Sequence, residues 1–91
     1  MQKIRVHVYV AGHVQGVFFR QNTKRHAQSH EVCGWVRNLS DGRVEAVFEG
    51  EETSVKEVID YCRHGPSLAK VSHVDVIFET YLNEFLDFKI V

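Results

Sequence analysis

Gly12, Gly16 and Arg20, in the run GHVQGVFFR, carry the strongest chemical signal in this chain. Glycine reaches backbone angles closed to other residues and lets the main chain come close to a ligand. The run follows alternating Ile4, Val6, Val8 and Val10, and leads into a polar segment from Gln21 that is compatible with a helix. A strand, a glycine turn and a helix start aim backbone N–H groups and the positive end of the helix dipole at one point. Arg20 adds a planar fork of donors matched to phosphate oxygens. The spacing therefore predicts an anion site, with phosphate the first ligand to consider. The competing reading is a plain turn followed by a solvated arginine, since short glycine motifs often match by accident. A Walker loop does not fit, because its lysine and Ser/Thr are missing here, and a dinucleotide fingerprint lacks its third glycine.

The second chemical signal is Asn38, in the stretch GWVRNLSDGRVEAVFEG from Gly34 to Gly50. An amide both accepts from and donates to water, so it can orient an attacking water without removing a full proton. In a split βαβ layout the Asn38 strand can lie close to the strand that feeds the glycine loop, within reach of Arg20. The alternative is that Asn38 only serves the Ser40-Asp41-Gly42 turn. Other candidates are weaker. His26 and His30 have an i, i+4 spacing that can bind zinc, yet no HExxH context or third ligand accompanies them, and they read as a solvated helix face. His13 lies inside the loop and reads as exposed, and His7, His64 and His73 pair with no nucleophile. Cys33 and Cys62 form no CxxC or metal-finger pattern and read as buried free thiols, although spacing alone leaves a disulfide open.

These residues need elements to position them. The polar segment Gln21 to His30 reads as a helix with a thin apolar stripe at Thr23 and Ala27. Val32 to Leu39, Asp41-Gly42 and the alternation Val44, Ala46, Phe48 read as a hairpin. Val55, Val58, Ile59 and Cys62 recur at helical spacing, with Ser54 and Glu57 as a capping box, Glu51-Glu52 as a solvated turn before it, and Gly65-Pro66 as a stop. Alternation returns at Val74, Val76 and Phe78, and again at Leu86, Phe88 and Ile90, with a polar turn around Asn83 between them. Strand, helix, strand, strand, helix, strand, plus a short final strand, predicts a ferredoxin-like α+β sandwich. Its sheet would be mainly antiparallel, with both helices on one face.

Ninety-one residues suit one domain, residues 1–91, so any active site must be built within it. Apolar residues at 44% and charged residues at 25% are an ordinary globular balance. A formal net charge of −1 argues against a general nucleic-acid binder, and no apolar run reaches the length of a membrane span. The N-terminus enters a strand pattern directly, without a signal-peptide core, so the expected location is cytoplasmic.

The two chemical stretches together resemble the acylphosphatase family. The match rests on Gly12, Val14, Gln15, Gly16, Val17, Phe19 and Arg20, then on Gly34, Trp35, Val36, Asn38, Asp41, Gly42, Val44, Glu45 and Gly50, with Gly65-Pro66 before the fourth strand. It runs over essentially the whole chain, and two separated motifs in the correct order make it specific. The resemblance implies hydrolysis of the carboxyl-phosphate bond of small acyl phosphates by a monomer, without metal or cofactor. Carried over by position, Arg20 and the backbone N–H groups of Gln15, Gly16, Val17, Phe18 and Phe19 would bind the phosphoryl group, and Asn38 would hold the water. One departure is Glu31, where the family commonly has glycine; a non-glycine residue in a left-handed helix cap costs roughly 1 kcal/mol. The leaving carboxylate, whose acid has a pKa of roughly 4, departs without a proton, so no general acid is required. A binding module for acyl or carbamoyl phosphate and an RNA-binding sheet remain the alternatives; the latter lacks an RNP-type aromatic motif.

Overall fold

Alternation at Ile4, Val6, Val8 and Val10 makes a strand with one buried face. In the computed structural model, which describes residues 2–91, this is β1, Lys3–His13. The chain continues through α1 (Phe19–Ser29), β2 (Cys33–Asn38), β3 (Val44–Glu51), α2 (Glu52–Cys62), β4 (Lys70–Glu79) and β5 (Phe88–Ile90). The strands form one sheet in the order β4-β1-β3-β2-β5. Every pairing is antiparallel except the parallel β2–β5 pair. Both helices cover the face that carries Val6, Val8, Val10, Val36, Ala46 and Phe48. The ferredoxin-like α+β sandwich expected from the element order is the observed fold.

Burial of apolar faces holds the layers together. On α2, Val55, Val58, Ile59 and Cys62 are buried, as their spacing predicts, and each fully buried aliphatic side chain contributes about 1.5–3 kcal/mol. On α1 the thin stripe of Thr23 and Ala27 gains a third buried member, Phe19, because the helix starts at Phe19 rather than Gln21. Arg20 therefore stands on the first helical turn.

Three local expectations change. The Ser54–Glu57 capping box does not form: α2 starts at Glu52 directly after β3, with no side-chain cap. Its first N–H instead donates to the Gln2 carbonyl oxygen at 3.0 Å, so no side chain is required there. Leu86 is fully exposed and lies outside β5, which begins at Phe88. Gly12 belongs to β1, at a register shift where that strand meets β4. Its φ is +127°, and a Cβ there would lie 2.1 Å from the Lys70 carbonyl oxygen, so it serves the approach of two strands rather than of a ligand.

The cap of α1 follows the sequence expectation. Glu31 takes φ 57°, the Val32 N–H donates to the Ala27 carbonyl oxygen at 2.8 Å, and the Glu31 N–H donates to that of Gln28 at 3.2 Å. These are the paired bonds of a Schellman ending.

The opposite sheet face holds a charged network that the alternation did not announce. Glu45 and Glu49 on β3 are buried there. Glu45 accepts from Arg37 Nε at 2.6 Å and pairs with His7 Nε2 at 2.6 Å. Glu49 accepts from the amides of Leu82 and Glu84, both at 2.9 Å, and from Arg5 at 3.3 Å.

Candidate active site

The loop between β1 and α1 has the backbone geometry that an anion needs. Gly16 and Phe18 take φ 76° and 66°, while Val17 between them keeps a negative φ. Alternating φ signs turn successive N–H groups toward one side, the geometry of an anion-binding nest. Among the described residues, the amides of Gln15, Gly16, Val17 and Phe18 donate to no protein acceptor. Helix α1 begins here without a side-chain cap and without an acid in its first turn, leaving its N-terminal donors open as well. The Val17 and Phe19 side chains are core members, so these residues offer the loop their backbone alone. At Gly16 a Cβ would meet no atom within 4 Å, so the positive φ is what calls for glycine.

Arg20 lies beside this nest. A cavity of about 420 Å³ is lined by Gly16, Phe18, Phe19 and Arg20, with Val14, Gln21 and Ile90 completing its wall. The Phe18 carbonyl oxygen accepts from the Asn22 amide at 3.1 Å and from Asn22 Nδ2 at 2.9 Å, which fixes the joint between nest and helix. Among the expected binding residues, Gln15 and Val17 do not line the cavity.

The Gln15 side chain has a different placement. Its Nε2 donates to the carbonyl oxygens of Leu39 at 2.7 Å and Arg43 at 3.0 Å, tying the loop to the β2–β3 hairpin. That hairpin is itself braced, since the Leu39 N–H donates to the Arg43 carbonyl oxygen at 2.8 Å. The Arg43 amide and Nε in turn donate to Asp41 at 3.0 and 2.9 Å, and these bonds hold the Asp41 carboxyl below its usual range. No local pattern marks the Gln15 tether, because its partners are carbonyl oxygens some 24 and 28 residues away.

Asn38 ends β2, on the face shared with Gly34 and Val36, and is not part of the cavity wall. Its strand lies in the same sheet as β1 with β3 between them. The connection is made by α1, which packs over β2, and by the Gln15 tether one residue beyond Asn38. The Asn38 Oδ1 atom is buried and has no hydrogen-bond partner among the described residues. Thr23 Oγ1, in the core, is the other such side-chain atom among the described residues, and the Asn38 oxygen is free to accept from a donor brought to it.

The remaining candidates stay apart from this centre. His26 stacks on Tyr61 with ring centroids 3.8 Å apart, and burial, then His30 and Arg25, push its imidazole below the usual value. His30 Nδ1 lies 2.9 Å from the His26 carbonyl oxygen, at the helix end. His13 is exposed. Cys33 and Cys62 are free thiols, and burial pushes Cys62 up to about 12, which keeps it a neutral core side chain. Among the described residues no group of three or more His, Cys, Asp or Glu side chains could hold a metal ion. Among the same residues no helix is long and apolar enough to cross a membrane.

Comparison with known proteins places this arrangement in a family. The family model described as Acylphosphatase matches residues 6–90. An acylphosphatase of Syntrophus aciditrophicus is 62% identical over 86 residues, covering 94% of this chain and 90% of its own length. One from Pyrobaculum islandicum is 52% identical, covering 99% of this chain and 96% of its own length. The solved acylphosphatase structure from Coxiella burnetii superposes with a TM-score of 0.93 at 37% identity, covering 98% of this chain and 93% of that one. With the family model spanning both the nest and the Asn38 strand, the chain belongs to the acylphosphatase family, enzymes that hydrolyse acyl phosphates.

Proposed function

We propose that Arg20 and the amides of Gln15, Gly16, Val17, Phe18 and Phe19 hold the phosphoryl group of an acyl phosphate while Asn38 positions the attacking water. The observation that carries this reading is the unpartnered, buried Asn38 Oδ1, on a hairpin tethered to a loop of open N–H donors. The water oxygen bonds to phosphorus as the bridging P–O bond breaks. The carboxylate leaves with that electron pair, and the proton of the water passes to the phosphate product or to solvent. Phosphoryl transfer goes through a loose transition state with charge on the equatorial oxygens, so catalysis is mainly positioning and electrostatics. The guanidinium fork and the nest meet that charge, and a carboxylate leaving group needs no general acid. Because bond formation to water lags, an amide acceptor suffices in place of a strong base.

In this reading residues 1–91 act as one domain and as a cytoplasmic monomer on a small-molecule acyl phosphate, with no metal, cofactor, membrane or nucleic acid involved. Both halves of the site come from one chain, and the free thiols Cys33 and Cys62 suit a reducing compartment. Phosphate release from acetyl phosphate by the purified protein tests it, with and without EDTA. Release that survives the chelator is expected. Saturable binding without release would instead indicate a binding module, and loss of release on chelation would overturn the metal-free account.

A further inference from the structure

The peptide joining Phe18 to Phe19 carries the last donor of the proposed cradle, and its two residues are held very differently. Phe19 is anchored by its ring. The residue is 2% exposed, and the ring lies so close to the loop between α2 and β4 that a Cβ on Gly65 would stand 2.7 Å from its Cε2 atom. Phe18 has no such anchor. It is 62% exposed, and its backbone takes φ 66° and ψ 22°, the left-handed region that side chains with a Cβ disfavour. Side-chain packing therefore does not hold Phe18 in this conformation, and backbone strain persists only where the surroundings over-determine it.

The restraint acts on its carbonyl group. The Phe18 oxygen accepts from the Asn22 N–H at 3.1 Å, the first backbone bond of α1, and from Asn22 Nδ2 at 2.9 Å. A carbonyl oxygen has two lone pairs, and here each has a donor. In a planar trans peptide the C=O and N–H groups point in opposite directions. Holding the Phe18 C=O along the helix therefore turns the Phe19 N–H out of the helix N-terminus, where the nest lies. A flip of this one peptide would put a carbonyl oxygen where a phosphoryl oxygen is to bind, and it would have to break the side-chain bond. Helix propensity gives no reason for asparagine here, since it is a poorer helix former than alanine. Asn22 also stands outside the wall of the cavity beside Arg20.

We infer that Asn22 is a positioning residue for the hydrolysis, locking the Phe18–Phe19 peptide so that the Phe19 N–H stays aimed at the phosphoryl group. This rests on the assignment of Arg20 and the loop amides to that group. Asn22 touches neither substrate nor water and acts through the peptide alone.

The test uses Asn22→Ala and Asn22→Leu, which lack the donor, and Asn22→Ser, whose hydroxyl can donate to the carbonyl four residues back. Four quantities are read: kcat/KM for acetyl phosphate, inhibition by inorganic phosphate, the NMR shift of the Phe19 amide proton on adding phosphate, and Tm. In the wild type that proton is expected to move downfield as phosphate binds. Asn22→Ala and Asn22→Leu should lower kcat/KM by about 10-fold and weaken phosphate inhibition by about 5-fold, with a diminished Phe19 shift. Their Tm should stay within about 4 °C of wild type, because a better helix former offsets the lost bond. Asn22→Ser should recover both the inhibition and the shift. Wild-type phosphate inhibition and an undiminished Phe19 shift in the Ala and Leu variants, with or without a fall in Tm, would make Asn22 a helix brace and overturn the positioning role. So would failure of a folded Asn22→Ser to recover them. If inorganic phosphate does not inhibit the wild type, the phosphoryl cradle itself is wrong, and the role of Asn22 falls with it.

Discussion

Gln15 Nε2 lies 2.7 Å from the carbonyl oxygen of Leu39, so the loop that opens α1 is bonded to the residue that follows Asn38. A second bond from the same nitrogen reaches the Arg43 carbonyl oxygen at 3.0 Å. Two segments far apart in sequence are thereby locked at a fixed separation by one side chain. The proposed mechanism, with the phosphoryl group on the nest and water on Asn38, requires that separation to be kept.

Removing this tether should loosen both halves together. Gln15→Ala is expected to lower the unfolding free energy by about 1–3 kcal/mol, since two half-buried carbonyl oxygens lose a donor. It should also reduce kcat/KM by about 10- to 100-fold through misplacement. Urea titration and acyl phosphate kinetics read the two effects. A variant with wild-type kinetics and lowered stability would reduce Gln15 to a purely structural brace.

Arg20 and Asn38 should separate binding from turnover. Arg20→Ala is expected to lose about 10³-fold or more in kcat/KM, and with it inhibition by inorganic phosphate. Asn38→Ala should lose about 10²- to 10³-fold in kcat and keep the phosphate inhibition constant. Should Asn38→Ala retain wild-type kcat, the water-positioning role would be refuted. Circular dichroism confirms that either variant is folded.

Glu31 sits at φ 57° in a helix ending that suits glycine. Glu31→Gly is expected to stabilise the protein by about 1 kcal/mol, a rise of about 4–8 °C in Tm for a domain of this size. Calorimetry measures it directly. Kinetics should not change, because Glu31 stands at the opposite end of α1 from Arg20. A lower Tm would show that the side chain contributes more than the backbone strain costs.

The network on the open sheet face should set the acid limit of stability. Burial works to raise Glu45 and Glu49. His7 and Arg37 on the first, and the Leu82 and Glu84 amides with Arg5 on the second, outweigh it and hold both carboxyls below the usual range. A folded-state pKa below the unfolded value adds stability that is fully present above the unfolded pKa, about 4.3, and is lost as pH falls through the folded value. Urea midpoints should therefore decline below about pH 5 and steepen toward pH 3. Glu49→Gln should flatten that decline while lowering stability at pH 7. An unaltered slope in Glu49→Gln would mean that other groups control acid unfolding.

Element types were legible in the chain because they arise from local periodicity. The period-2 valines of β1, the helical spacing of Val55, Val58, Ile59 and Cys62, and the Asp41-Gly42 turn each act within a few residues of themselves. The strain at Glu31 was expected from the family resemblance, which commonly has glycine there, and the φ of 57° agrees with it. Local rules also misled where a tertiary partner substituted for a local one. Helix α2 starts at Glu52, ahead of the Ser54–Glu57 pattern, with its first N–H bonded to the Gln2 carbonyl, and a Cβ at Gly12 would collide with the neighbouring Lys70 backbone.

Residue types by themselves raised the glycine loop and Arg20 as a candidate anion site, with a plain turn as the competing reading, and the family resemblance drew Asn38 in as the candidate for holding a water. Only the tertiary structure decided how they are joined. It set α1 over β2, placed β3 between the loop strand and the Asn38 strand, left Asn38 Oδ1 buried without a partner among the described residues, and brought Ile90 to the cavity of Phe18 and Arg20. The buried carboxylates Glu45 and Glu49 were hidden for the same reason, because alternation marks which side chains share a face but not what covers it. Contacts between residues distant in the chain are chosen by packing of whole layers, and no window of sequence contains both partners.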